Sequence, residues 1–288
     1  MADKRQVITV MKGDYPVIQL CEALDCARSS YYYQSVRQED APDLIEEVEH
    51  MLMRWPFYGY RRVTAQLKRQ GWSVGETVVR RLLKTLSVTR NVGRVRVRTT
   101  DSNHNLRRYP NLVRNLTPAW PDQVWVADIT YIRLGLQFIY LAVILDAYTR
   151  AVRGWHLRRR LSQDLTRAAL RMALTKGIPS VHHSDQGAQY AAGDYINLLR
   201  SVDAQISMAD AGQPTQNGLV ERFIRTLKEE HVDYTEYTDF DDARQQIGHW
   251  LDVEYMTERI HSALDYATPA EFEATARAAQ AAPSLIYP

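Results

Sequence analysis

From Gln123 onward, segments typical of β-strands alternate with segments typical of helices, and this pattern limits the fold more than any other feature of the sequence. The runs VWVADITYI, QFIYLAVILDA and RAVRGWHL predict an antiparallel meander of three strands. They are followed by a helix with Ser162 as its N-cap, the strand PSVHHSD, the helix DYINLLRSV and the strand AQISMA. We therefore predict an α/β domain with a mixed five-stranded sheet and flanking helices, in which the later strands join in parallel.

The chain before this domain is predicted to be all-α. In residues 1–50, the amphipathic stretch Pro16–Leu24 and a turn with Ser29 as N-cap candidate indicate two short helices, as in a helix-turn-helix. In residues 51–90, GWSVG separates the helical segments YGYRRVTAQLKRQ and ETVVRRLLKTL. The second of these segments has Arg80, Arg81 and Lys84 opposite its apolar face.

Changes of pattern along the chain predict five regions. After Leu86 a basic stretch, interrupted by prolines and without a helical period, indicates a linker or arm. After the last predicted strand, one helix is predicted over about 217–231 and another over about 239–255. The expected regions are residues 1–50, helix-turn-helix-like; 51–90, a second helical region; 91–121, the basic arm; 122–272, the α/β core; and 273–288, a C-terminal tail.

Positive charge is concentrated in one block of the sequence. Between Arg54 and Arg114 there are fifteen Lys or Arg residues and two acidic ones, a net charge of +13. The whole chain carries only +2, so the remainder carries −11. Such asymmetry favours nucleic acid or another acidic surface as the partner.

Several other classes of protein do not fit. Cys21 and Cys26 are too few for a disulfide framework and have no neighbouring His for a zinc site, so we interpret them as reduced core thiols. There is no run of 18 apolar residues and no apolar core of a signal peptide at the start. We therefore expect a cytoplasmic protein without a membrane partner.

Three acidic residues occupy positions suited to chemistry. Asp128 lies within the apolar strand VWVADITYI, where a carboxylate has to be hydrogen-bonded, for example by Thr130 or a backbone amide, or paired, or bound to a cation. Asp185 ends the strand SVHHSD, and ligand sites of α/β sheets gather at such carboxyl ends. Glu221 lies in the first turn of a helix, a place that the helix dipole alone would favour.

If these carboxylates converge, they form a site for hard cations. Carboxylate oxygens suit Mg²⁺ or Mn²⁺. Two such ions about 3.5–4 Å apart can activate an attacking hydroxyl and stabilise the leaving oxygen of a phosphodiester. Converging carboxylates at Asp128, Asp185 and Glu221 would thus suit phosphoryl transfer, with these three residues as the ligands of two ions per site.

The blocks around these acids resemble a known family. WVADITYI, HSDQGAQY and QNGLVERFIRTLKEE are similar to the three signature blocks of the DDE transposases of the IS-three insertion-sequence family, which are relatives of retroviral integrases. SSYYYQ, YGYRRV, LDAYTRAVRGW and RIHSALDYATPAEF extend the resemblance from about Cys26 to Phe272. The resemblance implies a ribonuclease H-like, integrase-like catalytic core, catalytic acids at Asp128, Asp185 and Glu221, and the lysine of the catalytic helix at Lys228.

The resemblance also implies an activity and partners. A DNA transposase of this kind cleaves phosphodiesters at transposon ends, and the freed 3′-hydroxyl attacks a second phosphodiester. Its partners would be double-stranded DNA at the ends and the target, further copies of the chain in a dimer or higher oligomer, and an upstream reading-frame product. Two alternatives stay open: a ribonuclease H-like nuclease or resolvase, and a non-catalytic DNA-binding regulator derived from a transposase.

Basic residues of the helical region and of the arm are the expected DNA contacts. A recognition helix enters the major groove, whereas phosphate contacts supply most of the affinity. The alternative for these residues is a solvated cationic face. The expected contacts are Arg80, Arg81 and Lys84 on the helix, Arg94, Arg96, Arg98, Arg107 and Arg108 in the arm, and Lys228 in the core.

Overall fold

The computed structural model describes residues 2–32, 42–86, 107–210 and 213–281. The chain divides into two compact units, Met1–His50 and Met51–Pro288. None of the helices in these described ranges is long and apolar enough to cross a membrane.

The N-terminal unit contains α1 (Ala2–Met11), α2 (Val17–Ala23), α3 (Arg28–Tyr32) and most of α4 (Pro42–Arg54). One small cluster in its described part contains the buried side chains of Ile8, Leu20, Cys21 and Cys26, and both thiols are free. The expected N-cap at Ser29 is wrong, because α3 already begins at Arg28 and the Ala27 carbonyl accepts its first hydrogen bonds. Asp25, at a φ of 45°, completes the turn before α3 earlier than the sequence pattern suggests.

The second unit begins with a helical pair, α5 (Tyr60–Arg69) and α6 (Glu76–Thr85). The helices pack through the buried side chains of Val63, Leu67, Val79 and Leu82. Gly71 ends α5 in the left-handed region, at a φ of 94°, which glycine adopts without a Cβ clash. Both helices and the break between them were predicted from the sequence and are confirmed.

A mixed five-stranded sheet forms the centre of this unit. In chain order its strands are β1 (Val124–Leu134), β2 (Gln137–Asp146), β3 (Val152–Arg158), β4 (Val181–Ser184) and β5 (Gln205–Met208). Across the sheet they lie in the order β3-β2-β1-β4-β5. β1, β2 and β3 form the antiparallel meander, whereas β4 pairs in parallel with β1 and β5 in parallel with β4. The predicted fold class is confirmed.

Helices cover both faces of the sheet because side chains alternate along the strands. On one face, Trp125, Ala127 and Ile144 pack against α7 (Gln163–Leu174) and α8 (Gly193–Arg200). On the other face, Val124, Val126, Leu141 and Val143 pack against α9 (Gly218–Glu230) and α10 (Phe240–His249). The sheet therefore lies between two apolar layers, as expected for a ribonuclease H-like core.

Gly154 in β3 lets α7 approach the sheet closely. A Cβ at this position would lie 2.2 Å from the carbonyl oxygen of Ala169 and 2.7 Å from the nitrogen of Ala173, both in the backbone of α7. The absence of a side chain at Gly154 is therefore a condition for the packing of this layer.

The single helix expected over 239–255 is wrong in its second half. After α10 the chain continues as a π-helix, Trp250–Glu258, in which the amide of Arg259 donates to the carbonyl of Glu254 five residues earlier. Trp250 and Tyr255 are both buried, and their spacing of five residues matches the hydrogen-bond spacing of this wider helix. A 3.6-residue period could not reveal it.

The final helix, α11 (Pro269–Ala281), crosses the expected end of the core at residue 272. Arg153, a buried residue of β3, makes ion pairs with Asp122 at 2.8 Å, Asp146 at 3.1 Å and Glu273 at 2.7 Å. Arg277 pairs with Asp122 at 2.6 Å. Within the expected tail, Glu273 is thus paired with Arg153 of β3, and Arg277 is paired with Asp122 shortly before β1.

The described part of the basic arm, residues 107–121, contains neither helix nor strand and begins along the edge of β5. The amide of Met208 donates to the carbonyl of Pro110 at 3.4 Å, and the amide of Leu112 donates to the Ser207 hydroxyl at 2.9 Å. Val113 packs against the core. This end of the arm therefore belongs structurally to the core.

Candidate active site

Two aspartates lie side by side on neighbouring parallel strands. Ala127 of β1 is paired with Ser184, the last residue of β4, and the residue that follows each of them is an aspartate, Asp128 within β1 and Asp185 directly after β4. Alternation along β1 also places Asp128 on the same face as Val124 and Val126, which is the face covered by α9. Their proximity follows from the register of two strands that are far apart in sequence.

Each aspartate accepts a hydrogen bond from a nearby backbone amide. The amide of Ile129 donates to Asp128 Oδ1 at 2.8 Å, which is the backbone amide that the sequence analysis considered as an alternative to Thr130. The amide of Gly187 donates to Asp185 Oδ1 at 3.0 Å, and a Cβ at Gly187 would itself lie 3.0 Å from that oxygen. The turn after β4 therefore holds the Asp185 carboxylate closely.

Glu221 is brought to the sheet by the start of α9. A 3₁₀ turn, Pro214–Asn217, leads into the helix, and Glu221 lies in its first turn. The side-chain amide of Asn217 donates to the carbonyl of Ala127 at 3.1 Å. Because Ala127 directly precedes Asp128, this contact fixes the beginning of α9 beside the aspartates. Asn217 was not among the residues predicted from the sequence, although its place directly before the helix is visible there.

The three carboxylates influence one another electrostatically. Burial raises the pKa of Asp128 to about 8, and the negative charges of Asp185 and Glu221 add to this increase. The Ile129 amide and Lys228 act in the opposite direction. Burial also raises the pKa of Glu221, with a further contribution from Asp185 that Arg225 opposes. Negative charge is therefore crowded at this point of the sheet.

A divalent cation fits this site in chemistry and in charge. The donors are hard carboxylate oxygens, and a cation would relieve the repulsion that raises the pKa of Asp128. Among the residues that the structure describes, no three Asp, Glu, His or Cys side chains are close enough together to hold one ion as they stand. Ion binding by all three acids therefore requires their side chains to turn toward one another.

A cavity of about 400 Å³ opens beside the two aspartates. Glu221 is not among the residues that line it. The walls combine the two carboxylates with aromatic and small side chains: Asp128, Ile129, Thr130, Tyr131, Tyr140, Leu161, Asp185, Gly187, Ala188, Gln189 and Tyr190. Its volume lies in the range of about 300–1,000 Å³ that is common for ligand pockets.

Lys228 lies further along the same helix as Glu221. Its Nζ is 4.3 Å from the ring centroid of Tyr131, a residue of the cavity wall. Burial lowers the pKa of Lys228, whereas the charges of Asp233 and Asp128 raise it. The expected phosphate contact thus lies within the electrostatic reach of Asp128.

The basic residues expected to contact DNA have different surroundings. On α6, Arg80, Arg81 and Lys84 are exposed, and the guanidinium of Arg80 lies 4.2 Å from the ring centroid of Tyr60. In the arm, Arg107 and Arg108 are exposed, with Arg107 5.2 Å from the ring centroid of Tyr109. The other expected contacts lie outside the described residues: Arg94, Arg96 and Arg98.

The histidines near the site belong to the interior. His182 shares a hydrogen bond of 2.9 Å with the Tyr195 hydroxyl, and His183 one of 2.8 Å with Ser207. Burial lowers the pKa of His182 to about 3 and that of His183 to about 4. Neither ring lines the cavity. Both rings are therefore buried, neutral parts of the core.

Comparison with family models identifies both parts of the second unit. Two models described as "Integrase core domain" match residues 118–214 and 202–269, and one described as "HTH-like domain" matches residues 38–99. The helical pair and the α/β sheet thus correspond to a DNA-binding type of domain followed by an integrase core.

Curated relatives match almost the whole chain. The "Insertion element IS600 uncharacterized 31 kDa protein" of Shigella sonnei is 34% identical, over 88% of this chain and 97% of that protein. The "Transposase for insertion sequence element IS904" of Lactococcus lactis is 32% identical, over 75% of this chain and 87% of that protein. The "Transposase InsF for insertion sequence IS3A" of Escherichia coli is 27% identical, over 91% and 95%. The chain therefore belongs to the IS-three family of DDE transposases, which are polynucleotidyl transferases acting on DNA.

Proposed function

We propose that Asp128, Asp185 and Glu221 are the catalytic acids of this transposase and that they hold divalent ions, Mg²⁺ or Mn²⁺, with two ions per site. The observation that carries this proposal is the register of β1 and β4, which makes the two aspartates neighbours. The contact between Asn217 and Ala127 supports Glu221 as the third acid, because it attaches the start of α9 to the same strand. Bound ions would activate the attacking hydroxyl and stabilise the leaving oxygen of the phosphodiester.

The remaining side chains of the site bind and orient the DNA strand. Lys228, which lies against Tyr131 and within the electrostatic reach of Asp128, is placed to contact a phosphate. The aromatic walls of the cavity, Tyr131, Tyr140 and Tyr190, limit the access of water to the reacting phosphate. The chemistry consists of cleavage at a transposon end and attack of the freed 3′-hydroxyl on a second phosphodiester, without a covalent link between protein and DNA.

The assignment of the other regions follows from their charge. The exposed face of α6 with Arg80, Arg81 and Lys84 contacts the transposon end, and the basic arm of 91–121 with Arg94, Arg96, Arg98, Arg107 and Arg108 neutralises phosphates. Two ends have to be joined, so the active form is a dimer or a higher oligomer on DNA. The upstream reading-frame product is a further partner, by fusion or by association, and the bacterial cytoplasm with its nucleoid is the place of action.

Strand transfer on labelled end DNA with Mg²⁺ or Mn²⁺ tests the proposal. We expect Asp128→Asn, Asp185→Asn and Glu221→Gln each to abolish cleavage and joining while end DNA is still bound. Asp194→Asn, at an acid of α8 that is 66% exposed, is the matched control and should retain activity. Activity that survives Asp185→Ala would contradict the assignment of this acid.

The products separate the remaining alternatives. A nuclease or resolvase would cleave the DNA but leave no product in which a 3′ end is joined to a second strand. A regulator derived from a transposase would bind end DNA without metal and produce no cleavage at all. Joined products that depend on metal would exclude both.

A further inference from the structure

Asn217 is a buried amide between the two elements that carry the proposed acids. Its side chain is only 4% exposed, and its Nδ2 donates to the carbonyl of Ala127 at 3.1 Å. Its Oδ1 is also buried and has no hydrogen-bond partner among the described residues. Buried amides are usually satisfied at both ends, so an amide kept here with one contact requires a reason.

Each of the two residues joined by this hydrogen bond directly precedes a part of the chain that carries a proposed acid. Ala127 is followed directly by Asp128 on β1, and Asn217 is followed directly by α9, whose first turn contains Glu221. The single hydrogen bond therefore connects two acids that lie more than ninety residues apart in sequence.

Apolar packing alone would not define the axial position of α9. Val220, Phe223, Ile224 and Leu227 determine which face of α9 meets the sheet. Such contacts are non-directional, however, and tolerate sliding along the helix axis. A hydrogen bond depends on both distance and angle, so the Asn217 contact sets how far along β1 the helix begins.

The neighbouring residue holds the same turn from the outside. The Gln216 carboxamide oxygen accepts from the Asp210 amide and from the Asn111 side chain, both at 2.7 Å, and its nitrogen donates to Asp210 Oδ2 at 2.9 Å. Gln216 thus attaches the 3₁₀ turn to Asp210, after β5, and to Asn111 of the arm, whereas Asn217 attaches it to β1, the strand of Asp128. The side-chain amides of these two adjacent residues therefore contact different segments of the core.

We propose that Asn217 is a positioning residue that sets the separation of Glu221 from Asp128 and Asp185. The inference rests on the proposed function of these acids. Partners that orient metal ligands typically affect metal affinity or activity about 10- to 100-fold. Loss of the Asn217 contact should therefore impair ion binding and the chemical step, but not the binding of end DNA.

Two substitutions test this role. Asn217→Ala removes the N–H donor, and Asn217→Asp keeps the shape but has no N–H to donate. We expect both to lower the single-turnover rate of end cleavage about 10- to 100-fold, with an unchanged Kd for end DNA. Mn²⁺ titration calorimetry on DNA-free Asn217→Ala should show weaker binding by a similar factor; Asn217→Asp is left out of this comparison because it adds a charge.

A matched variant separates positioning from general destabilisation. Ile247→Val shortens a fully buried side chain of α10 that packs in the same core layer. Its apolar side chain forms no hydrogen bond to the segments that carry the acids, and it is distant from them in sequence. We expect it to lower Tm without changing the cleavage rate or Mn²⁺ affinity. Hydrogen exchange of the first-turn amides of α9 should increase in Asn217→Ala and not in Ile247→Val.

The outcomes distinguish this inference from the proposed function. If Asp185→Ala is inactive while Asn217→Ala cleaves and binds Mn²⁺ as the wild type does, only the positioning role is wrong. Full cleavage activity of Asn217→Ala would show that the donated hydrogen bond is not needed, and equal losses in Ile247→Val would mean that the effect is one of stability only. Activity in Asp185→Ala would contradict the proposed acids themselves.

Discussion

At the scale of single residues, the Asp185 carboxylate is held in a tight turn that leaves no room for a larger residue at 187. Gly187 donates its amide to Asp185 Oδ1, and an added Cβ would lie 3.0 Å from the same oxygen. We expect Gly187→Ala to displace the carboxylate and to lower the cleavage rate about 10- to 100-fold, since small displacements of catalytic groups have effects of this size. A single-turnover cleavage assay measures the change.

Gly193→Ala provides the control for this prediction. A Cβ at Gly193, the first residue of α8, would meet nothing within 4 Å, and alanine is a good helix former there. Its cleavage rate should equal that of the wild type. Equal rates for Gly187→Ala and the wild type would show that the Asp185 side chain adapts to the added methyl group.

The positions of the acids could be predicted from the sequence, but their mutual geometry only in part. Asp128 was recognisable because an acid within an apolar strand is unusual, and Asp185 because it ends a short strand. The parallel pairing of the two strands then makes them neighbours. The contact of Asn217 with Ala127 could not be predicted, because it depends on the packing of α9 against the sheet. Hydrophobic period identifies the buried face of a helix but not its axial position.

At the scale of elements, the contact between β3 and α7 depends on one glycine. Gly154→Ala would place a Cβ 2.2 Å from the Ala169 carbonyl oxygen, so the whole helix would have to move. Overpacking of this kind costs about 1–3 kcal/mol, and we expect the upper end because the contacted atoms are backbone. Urea unfolding should show a lower midpoint with the same m value. A loss of stability no larger than that of Gly193→Ala would contradict the close approach of α7 to β3.

A buried ion cluster connects α5, α9 and the segment after the π-helix. Glu230 pairs with Arg62 at 3.1 Å and with Arg259 at 2.6 Å, and its side chain is only 6% exposed. Burial alone raises the pKa of Glu230, but the hydrogen bonds and charges of Arg259 and Arg62 outweigh it and lower the pKa below its ordinary value of 4.5. The ionised carboxylate therefore stabilises the fold above pH 4.5, and this contribution is lost as the pH falls through the lower, folded-state pKa.

The pH dependence of unfolding tests the cluster. We expect Glu230→Gln to reduce the free energy of unfolding at neutral pH by up to about 3–5 kcal/mol, because two buried cations lose their partner. The difference from the wild type should shrink as the pH falls below about 4.5. Glu271→Gln removes an exposed pair with Arg69 and should cost at most about 1 kcal/mol. Similar losses in both variants would contradict the special role of Glu230.

Much of the element structure followed from the sequence. All five strands and the helical pair before them were predicted, because alternation and turn residues are local signals. The π-helix, Trp250–Glu258, and the continuation of α11 past residue 272 were not, because both depend on tertiary contacts of Trp250, Tyr255 and Glu273. Local patterns do not contain such contacts.

At the scale of the whole molecule, the +13 block predicts DNA binding that depends steeply on salt. On α6, Arg80, Arg81 and Lys84 are exposed together. Replacing all three with Ala should weaken end binding and reduce the slope of log K against log salt by roughly 2–3, since each lost phosphate contact contributes about 0.9. Filter binding over a salt series measures the slope. Glu76→Gln on the same helix should leave the slope unchanged, and an unchanged slope in the triple variant would contradict phosphate contacts by α6.

The ion pairs between α5 and the core affect the distance between the recognised sequence at a transposon end and the site of cleavage. Arg62 binds Glu230 of α9, and Arg69 binds Glu271 of α11, so the helical pair and the proposed acids share one compact unit. If α6 recognises a base sequence, the protein fixes the distance between that sequence and the phosphodiester that is cleaved. One inserted base pair would rotate the terminal phosphate around the DNA axis and away from the acids. The length of the terminal sequence is then a property of the fold rather than of a flexible tether.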